Sequence, residues 1–251
     1  MEDRPTGGDT DIAVVGALVA DPGRCQILLA LDDGRALPAS RLAAEAGVSP
    51  ATASAHLAKL VDGGLLAVEA HGRYRYYRLA GPAVGNLIEA MQRLAPAAPV
   101  QSLRQSTRAQ ALRRARTCYD HLAGRVGVEL MRSMIDRGYL AGGTGLYDPT
   151  TVGTDHRTGY GHVVDYRLTE GGRVLLEGLG VSESSGHRPI RYCVDWSEQR
   201  HHLAGGLGRA LLARLVSFDW VRRAEHSRAV EITEAGHRGL REMFDIDLSA
   251  S

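Results

Sequence analysis

The sequence predicts a mainly α-helical chain with small β-hairpins, organised as two domains. Three observations carry this. Apolar runs bounded by Asp, Ser, Pro and Gly follow one another over residues 10–62; residues 65–79 alternate around a His71-Gly72 turn; and a His-Leu-Ala-Gly motif occurs at 121–124 and again at 202–205.

The chain has 251 residues, enough for two small domains with separate cores. Its formal net charge of +1 excludes a global polycation, so any nucleic-acid surface must be a local patch. Three cysteines without dense spacing argue against a disulfide framework and for a reducing compartment. The polar, acidic start is unlike a signal peptide. The longest apolar run is far below the ~20 residues that span a bilayer, so the expectation is a cytoplasmic protein with no membrane partner.

Residues 1–9 read as a disordered tail. Thr10 or Asp11 caps a helix to about Val19, with Ile12, Val15 and Val19 on one face. Asp21-Pro22 restarts a helix that carries Ile27, Leu28 and Leu31 and ends at Asp32-Asp33-Gly34. Leu37-Pro38-Ala39 opens a short helix to Ala46, stopped by Gly47, and Ser49-Pro50 starts another that runs to about Asp62 before Gly63-Gly64. A short helix, a glycine turn and a capped second helix make a helix-turn-helix. The alternating stretch from Leu65 to Leu79 follows as a hairpin, or wing, with Tyr77 and Leu79 facing inward. A helix over about 83–95 leads to Pro96-Ala-Ala-Pro99, a linker at 96–100 between a domain at 10–95 and one at 101–251.

Such a second helix presents its N-terminal residues to base edges in the major groove. Here these are Ser49, Ala51, Thr52, Ser54, Ala55, His56 and Lys59, with Leu57 and Leu60 on the packed face. Small residues permit close approach, hydroxyls donate or accept, and Lys59 suits a phosphate; His56 is equally a half-buried hydrogen-bonding residue. In the wing, Arg73 and Arg75 beside Tyr76 suit the minor groove or the backbone.

The set Ser49-x-x-Thr52-x-Ser54-x-His56-Leu57-x-x-Leu60-x-x-x-Gly64-Leu65, with Gly72-Arg73 and Tyr76-Tyr77-Arg78-Leu79, resembles the ArsR/SmtB family of bacterial repressors over about 11–95. The resemblance implies a winged-helix homodimer that blocks a double-stranded operator until an effector binds, with the helices at about 10–20 and 82–95 as the dimer interface. Two familiar metal positions of that family lack ligands here. The helix before the turn, Ser40-Arg41-Leu42-Ala43-Ala44-Glu45, has no cysteine, and Ala83 to Leu94 has only Glu89 and no histidine.

Beyond the linker, residues 101–117 form an arginine-rich helix, either a solvated face or a phosphate contact. The rest repeats itself, over about 116–181 and 191–247. Arg116-Thr-Cys118-Tyr-Asp120 matches Arg191-Tyr-Cys193-Val-Asp195; Gly127 matches Gly208, Leu130 matches Leu211 and Tyr139 matches Trp220; Leu168-Thr-Glu-Gly-Gly172 matches Ile232-Thr-Glu-Ala-Gly236. Each copy reads as a Cys/Asp motif, a helix, a strand pair, and a short helix after Thr-Glu, which points to a pseudo-two-fold α+β domain; the strand-then-helix ending of each copy suggests degenerate winged-helix units.

Two sensing readings follow. A small organic effector can bind between the repeats, lined by Tyr119, Tyr139, Tyr166, Trp196 and Trp220, unless these aromatics simply fill the core. Alternatively Cys118 and His121, three apart on one helix face, join Cys193 and His202 to hold a metal or metalloid ion, unless the cysteines are core residues. Asp195-Trp-Ser-Glu198 reads as a capping box. Cys25 reads as structural. A Cys118/His121 nucleophile is the enzymatic alternative. The sequence holds no phosphate loop, Gly-x-Ser-x-Gly elbow or paired-His metalloprotease motif to support it, so a non-enzymatic chain is expected.

Overall fold

The computed structural model describes residues 10–71, 74–96, 103–148, 164–181, 189–224 and 227–248. The expected tail at 1–9, the linker residues 97–100 and the wing residues Gly72 and Arg73 lie outside these. Packing divides the chain into Met1–Val84 and Gly85–Ser251, a division that falls upstream of the prolines at 96 and 99.

The first unit runs α1 (Ile12–Val19), α2 (Pro22–Leu31), β1 (Leu37–Pro38), α3 (Ala39–Ala46), α4 (Pro50–Asp62), β2 (Leu66–His71) and β3 (Tyr74–Leu79), and includes the start of α5 (Pro82–Leu94). Its helices begin where the sequence supplies acceptors. Asp11 accepts from Ala13 N at 3.0 Å and Asp21 from Arg24 N at 2.9 Å. Arg24 then closes the end of α1, donating from Nε to Leu18 O at 2.6 Å and from Nη2 to Ala17 O at 2.8 Å. Cys25 Sγ donates to Val19 O at 2.9 Å, and burial pushes its thiol up, which fits a structural cysteine. Gly47, at φ 65°, ends α3 in the left-handed conformation and turns the chain into α4. Ile27, Leu28 and Leu31 of α2, Leu42 of α3, Leu57 and Leu60 of α4 and Leu79 of β3 are buried.

The sheet order is β1-β3-β2, all antiparallel, with Leu37 opposite Tyr77. Leu37-Pro38, expected to open a helix, instead forms an edge strand. Proline has no N–H to give a ladder and is tolerated there. The helix starts one residue later, at Ala39.

The second unit continues from α5 through α6 (Leu103–Arg114), β4 (Arg116–Cys118), β5 (His121–Ala123), α7 (Gly124–Asp136), β6 (Leu140–Ala141), β7 (Arg167–Leu168), α8 (Glu170–Gly178), β8 (Tyr192–Val194), β9 (His201–Leu203), α9 (Gly205–Ser217), β10 (Val221–Arg223), β11 (Val230–Ile232) and α10 (Glu234–Phe244). The order hairpin, helix, hairpin, helix thus occurs over 116–178 and over 192–244; we call these the first and second modules. All four hairpins are antiparallel. Thr169 and Thr233 cap the closing helices, accepting from Gly172 N at 3.1 Å and Gly236 N at 3.0 Å. Glycine is required at both sites, because an added Cβ would lie 2.2 Å from Tyr139 O and 2.0 Å from Trp220 O. Each module opens on a hairpin rather than on the helix pair that a winged helix requires, so the winged-helix reading of this half does not hold.

Asp195 caps no helix. Residues 196–198 form a turn before β9, and Asp195 Oδ1 accepts from Ser197 N at 2.9 Å, Ser197 Oγ at 2.7 Å and Glu198 N at 3.2 Å. Its other oxygen is an ion-pair partner. Oδ2 accepts from Arg116 Nη2 at 2.9 Å and from Gly124 N at 2.7 Å, with both side chains 0% exposed. The Arg116 guanidinium also stacks 4.5 Å from the Trp196 ring centroid and donates from Nη1 to Leu112 O at 3.2 Å. Desolvation alone would raise the Asp195 carboxyl, but Arg116 holds it well below the usual range.

Removing one partner of such a pair strands a buried charge. Arg116→Met is expected to cost about 3–5 kcal/mol of unfolding free energy, read from urea denaturation of the full chain. A loss below roughly 1 kcal/mol, the range of an exposed pair, would refute this role.

Candidate nucleic-acid interface and thiol–imidazole centre

In α4 the Ser49 hydroxyl accepts from Thr52 N at 3.2 Å, which fixes the helix start. Ala53, Leu57 and Leu60 are buried, while Ser49, Ala51, Thr52, Ser54, Ala55 and Lys59 are exposed along the opposite face. These six of the seven expected readers therefore share one open surface. His56 does not join them. Its ring packs over Gly23, with Nε2 3.5 Å from Asp21 Oδ1, so it props α4 against the start of α2. In the wing, Arg75 is exposed and Tyr76 is half-buried, whereas Arg78 pairs with Glu69. Arg73, a further expected contact, lies outside the described residues.

The second unit brings together the four expected soft ligands. One donor atom from each of Cys118, His121, Cys193 and His202 can be chosen so that all lie within 4.8 Å of one another. The route differs from the shared helix face expected from the spacing. Cys118 and His121 face each other across the β4–β5 hairpin, closed by a two-residue turn in which Tyr119 has φ 55°. Cys193 and His202 are likewise directly opposed, across β8–β9. Each hairpin thus gives one thiol and one imidazole, and the ring centroids of His121 and His202 are 5.2 Å apart. Glycines permit the approach: an added Cβ at Gly208 of α9 would lie 3.0 Å from His121 Cβ, and at Gly127 of α7 3.7 Å from His202 Cβ.

Two carboxylates stand behind the rings. Asp120 Oδ1 lies 3.1 Å from His121 Nδ1, and Asp195 Oδ2 lies 3.6 Å from His202 Nδ1. Asp120 is held in turn by Arg209 Nε at 2.7 Å. The repeat alignment pairs these two aspartates, but their place beside the histidines was missed; that pairing was the available signal. Burial pushes the His202 imidazole well below its usual value and keeps the ring neutral, against the opposing pull of Asp195. The Cys118 thiol is pushed up by its hydrogen bond with Cys193 and by burial.

The five aromatics do not gather around a pocket. Tyr166 is a core residue, 0% exposed, whose hydroxyl donates to or accepts from His201 Nδ1 at 2.8 Å and accepts from Gly145 N at 2.9 Å. Tyr139 and Trp220 pack against the same core beneath the closing helices, Trp196 lies under Arg116, and Tyr119 sits in its turn. The seam between the modules, lined by Leu122, Gly127, Leu130, Leu203, Gly208 and Leu211, encloses only about 10 Å³. Close packing of each glycine-bearing helix on the other module's hairpin leaves no room at this seam for the organic effector expected between the repeats.

Residues 19–69 match a family model for a helix-turn-helix domain. The chain is 41% identical over 230 residues to the HTH-type transcriptional regulator YdfF of Bacillus subtilis, covering 90% of this chain and 93% of that relative. It is 38% identical over 85 residues to the HTH-type transcriptional regulator CmtR of Mycobacterium tuberculosis, covering 32% of this chain and 71% of CmtR. Among solved structures it is similar to the homodimeric winged helix-turn-helix domain Mb0332 of Mycobacterium bovis, at 32% identity and a TM-score of 0.31, covering 36% of this chain and 89% of that one. With a DNA-binding winged helix-turn-helix at its N-terminus and a relative matched along nearly its whole length, the chain belongs to the ArsR/SmtB family of winged helix-turn-helix transcriptional regulators.

Proposed function

We propose that the chain is a cytoplasmic homodimeric repressor, released from its operator by an effector that binds the second unit. The observation that carries the DNA assignment is the split face of α4. Its apolar residues are consumed by the core, and small polar residues with one lysine remain exposed from Ser49 to Lys59. That is the surface a recognition helix needs in the major groove, with Arg73 and Arg75 of the wing on the flanking backbone or minor groove.

The dimer reading rests on α1. It buries none of its residues within the chain, and Ile12 and Val14 are 80% and 57% exposed. A second copy covers such a face at the least cost, and two-fold symmetry then matches a partly palindromic operator. The sensor reading rests on the second unit, which gathers two thiols and two imidazoles, with Cys118, His121 and His202 buried. We read its two modules as a duplication, and the unit as a sensor rather than an enzyme. No single helix among the described residues is long and apolar enough to cross a membrane.

Three outcomes test this, on a duplex selected from a random pool. Arg75→Ala should weaken binding across sequences and lower the slope of log affinity against log salt by about 0.9. Ser54→Ala should instead relax selectivity at one position, by about 1–3 kcal/mol. Both are read by fluorescence anisotropy, and normal behaviour of both variants would refute the assigned surface. Ile12→Asp should convert the dimer to a monomer in analytical ultracentrifugation; an unchanged sedimentation coefficient would move the interface elsewhere.

A further inference from the structure

Cys118, His121, Cys193 and His202 are too costly an arrangement for core packing alone. His202 is wholly buried, and its Nε2 makes no hydrogen bond among the described residues. A buried polar atom left without a partner destabilises the fold. Each histidine offers one ring nitrogen to a donor set with the two thiols that is no more than 4.8 Å across. A tetrahedral ion with bonds of about 2.3 Å to sulfur and 2.0–2.1 Å to nitrogen holds its donors roughly 3.3–3.8 Å apart. Side-chain rotations therefore suffice to close the set.

The surroundings match the same use. Asp120 stands 3.1 Å behind His121 Nδ1 and Asp195 3.6 Å behind His202 Nδ1. A carboxylate on one ring nitrogen of a ligating histidine fixes the tautomer and presents the other nitrogen to the ion. Both aspartates are anchored by arginines, Arg209 at 2.7 Å and Arg116 at 2.9 Å. Two thiolates and two imidazoles select borderline-soft ions over magnesium or calcium. Four protein donors leave no open position, the pattern of a closed site rather than a catalytic one.

We propose that these four residues form a four-coordinate site for one zinc-class divalent ion, which fastens the β4–β5 hairpin to the β8–β9 hairpin, and that this ion is the effector. The last clause rests on the reading of the second unit as the sensor. Ion binding replaces the orphaned contacts with bonds, so the two hairpins are held differently in the loaded and unloaded states, and the DNA affinity follows.

The test uses the full reduced chain, stripped with a chelator and titrated with Co²⁺ and then Zn²⁺. The expected result is one Co²⁺ per chain, with intense tetrahedral visible bands and a thiolate charge-transfer band, all abolished by Zn²⁺. Cys118→Ser/Cys193→Ser should lose both signals. Should that variant fail to fold, Asp120→Asn keeps all four ligands and should bind about 10–100-fold more weakly with the same spectrum. A wild-type chain that takes up no Co²⁺, gives an octahedral spectrum, or forms a Cys118–Cys193 disulfide in preference overturns the site. One equivalent of Zn²⁺ should also change affinity for the selected duplex by at least about fivefold. Stoichiometric Zn²⁺ with unchanged DNA affinity overturns the effector clause and leaves the DNA reader standing. No DNA binding in either state overturns the repressor reading instead, whatever the cobalt spectrum shows.

Discussion

The second unit depends on one buried ion pair. Arg116 ends the approach of α6 and begins β4 of the first module; Asp195 follows β8 of the second. Their contact at 2.9 Å spans 79 residues of chain, with no exposure on either side. A buried pair is a weak source of net stability, since burial costs each ion several kcal/mol of solvation. What it supplies is register. Asp195 accepts from Arg116, Gly124 N, Ser197 and Glu198 N. Those bonds fix where β4–β5 lies beside β8–β9, and the thiol–imidazole centre exists only in that register.

Much of this was legible in the sequence, and the failures share a cause. Asp11, Asp21, Ser49, Thr169 and Thr233 sit just before helices because their side chains satisfy N–H groups two or three residues on, a local rule visible in any sequence. The face of α4 was legible for the same reason. Cys118 and His121 were correctly grouped but placed on a helix, because a spacing of three fits a helical turn and a two-residue hairpin equally well. The left-handed Tyr119 decides between them, and nothing in a tyrosine announces it. The partners of His56 and Asp195 are distant, Asp21 lying 35 positions from one and Arg116 79 from the other, so local spacing leaves the role of His56 open and misses that of Asp195. Leu37-Pro38 became a strand because β3 offered it an edge.

The two units bear differently on the relatives. CmtR matches over 85 residues, whereas YdfF matches over 230, 90% of this chain, and so shares the second unit as well. The positions near the DNA reader that carry metal ligands in the resembling family are plain here: α3 has no cysteine, and Glu89 of α5 is buried 3.8 Å from Arg228. The soft donors of this chain stand instead on the β4–β5 and β8–β9 hairpins.

Gly127 and Gly208 restrict how this chain can diverge. An added Cβ at Gly208 would meet Leu203 O at 2.7 Å and His121 Cβ at 3.0 Å; at Gly127 it would meet Leu122 O at 2.5 Å and reach His202 Cβ at 3.7 Å. Each glycine therefore guards its own hairpin and a histidine of the opposite module. A side chain added at either glycine meets its own hairpin's carbonyl first and a histidine of the other module next, so the packing of each module is set in part by the other.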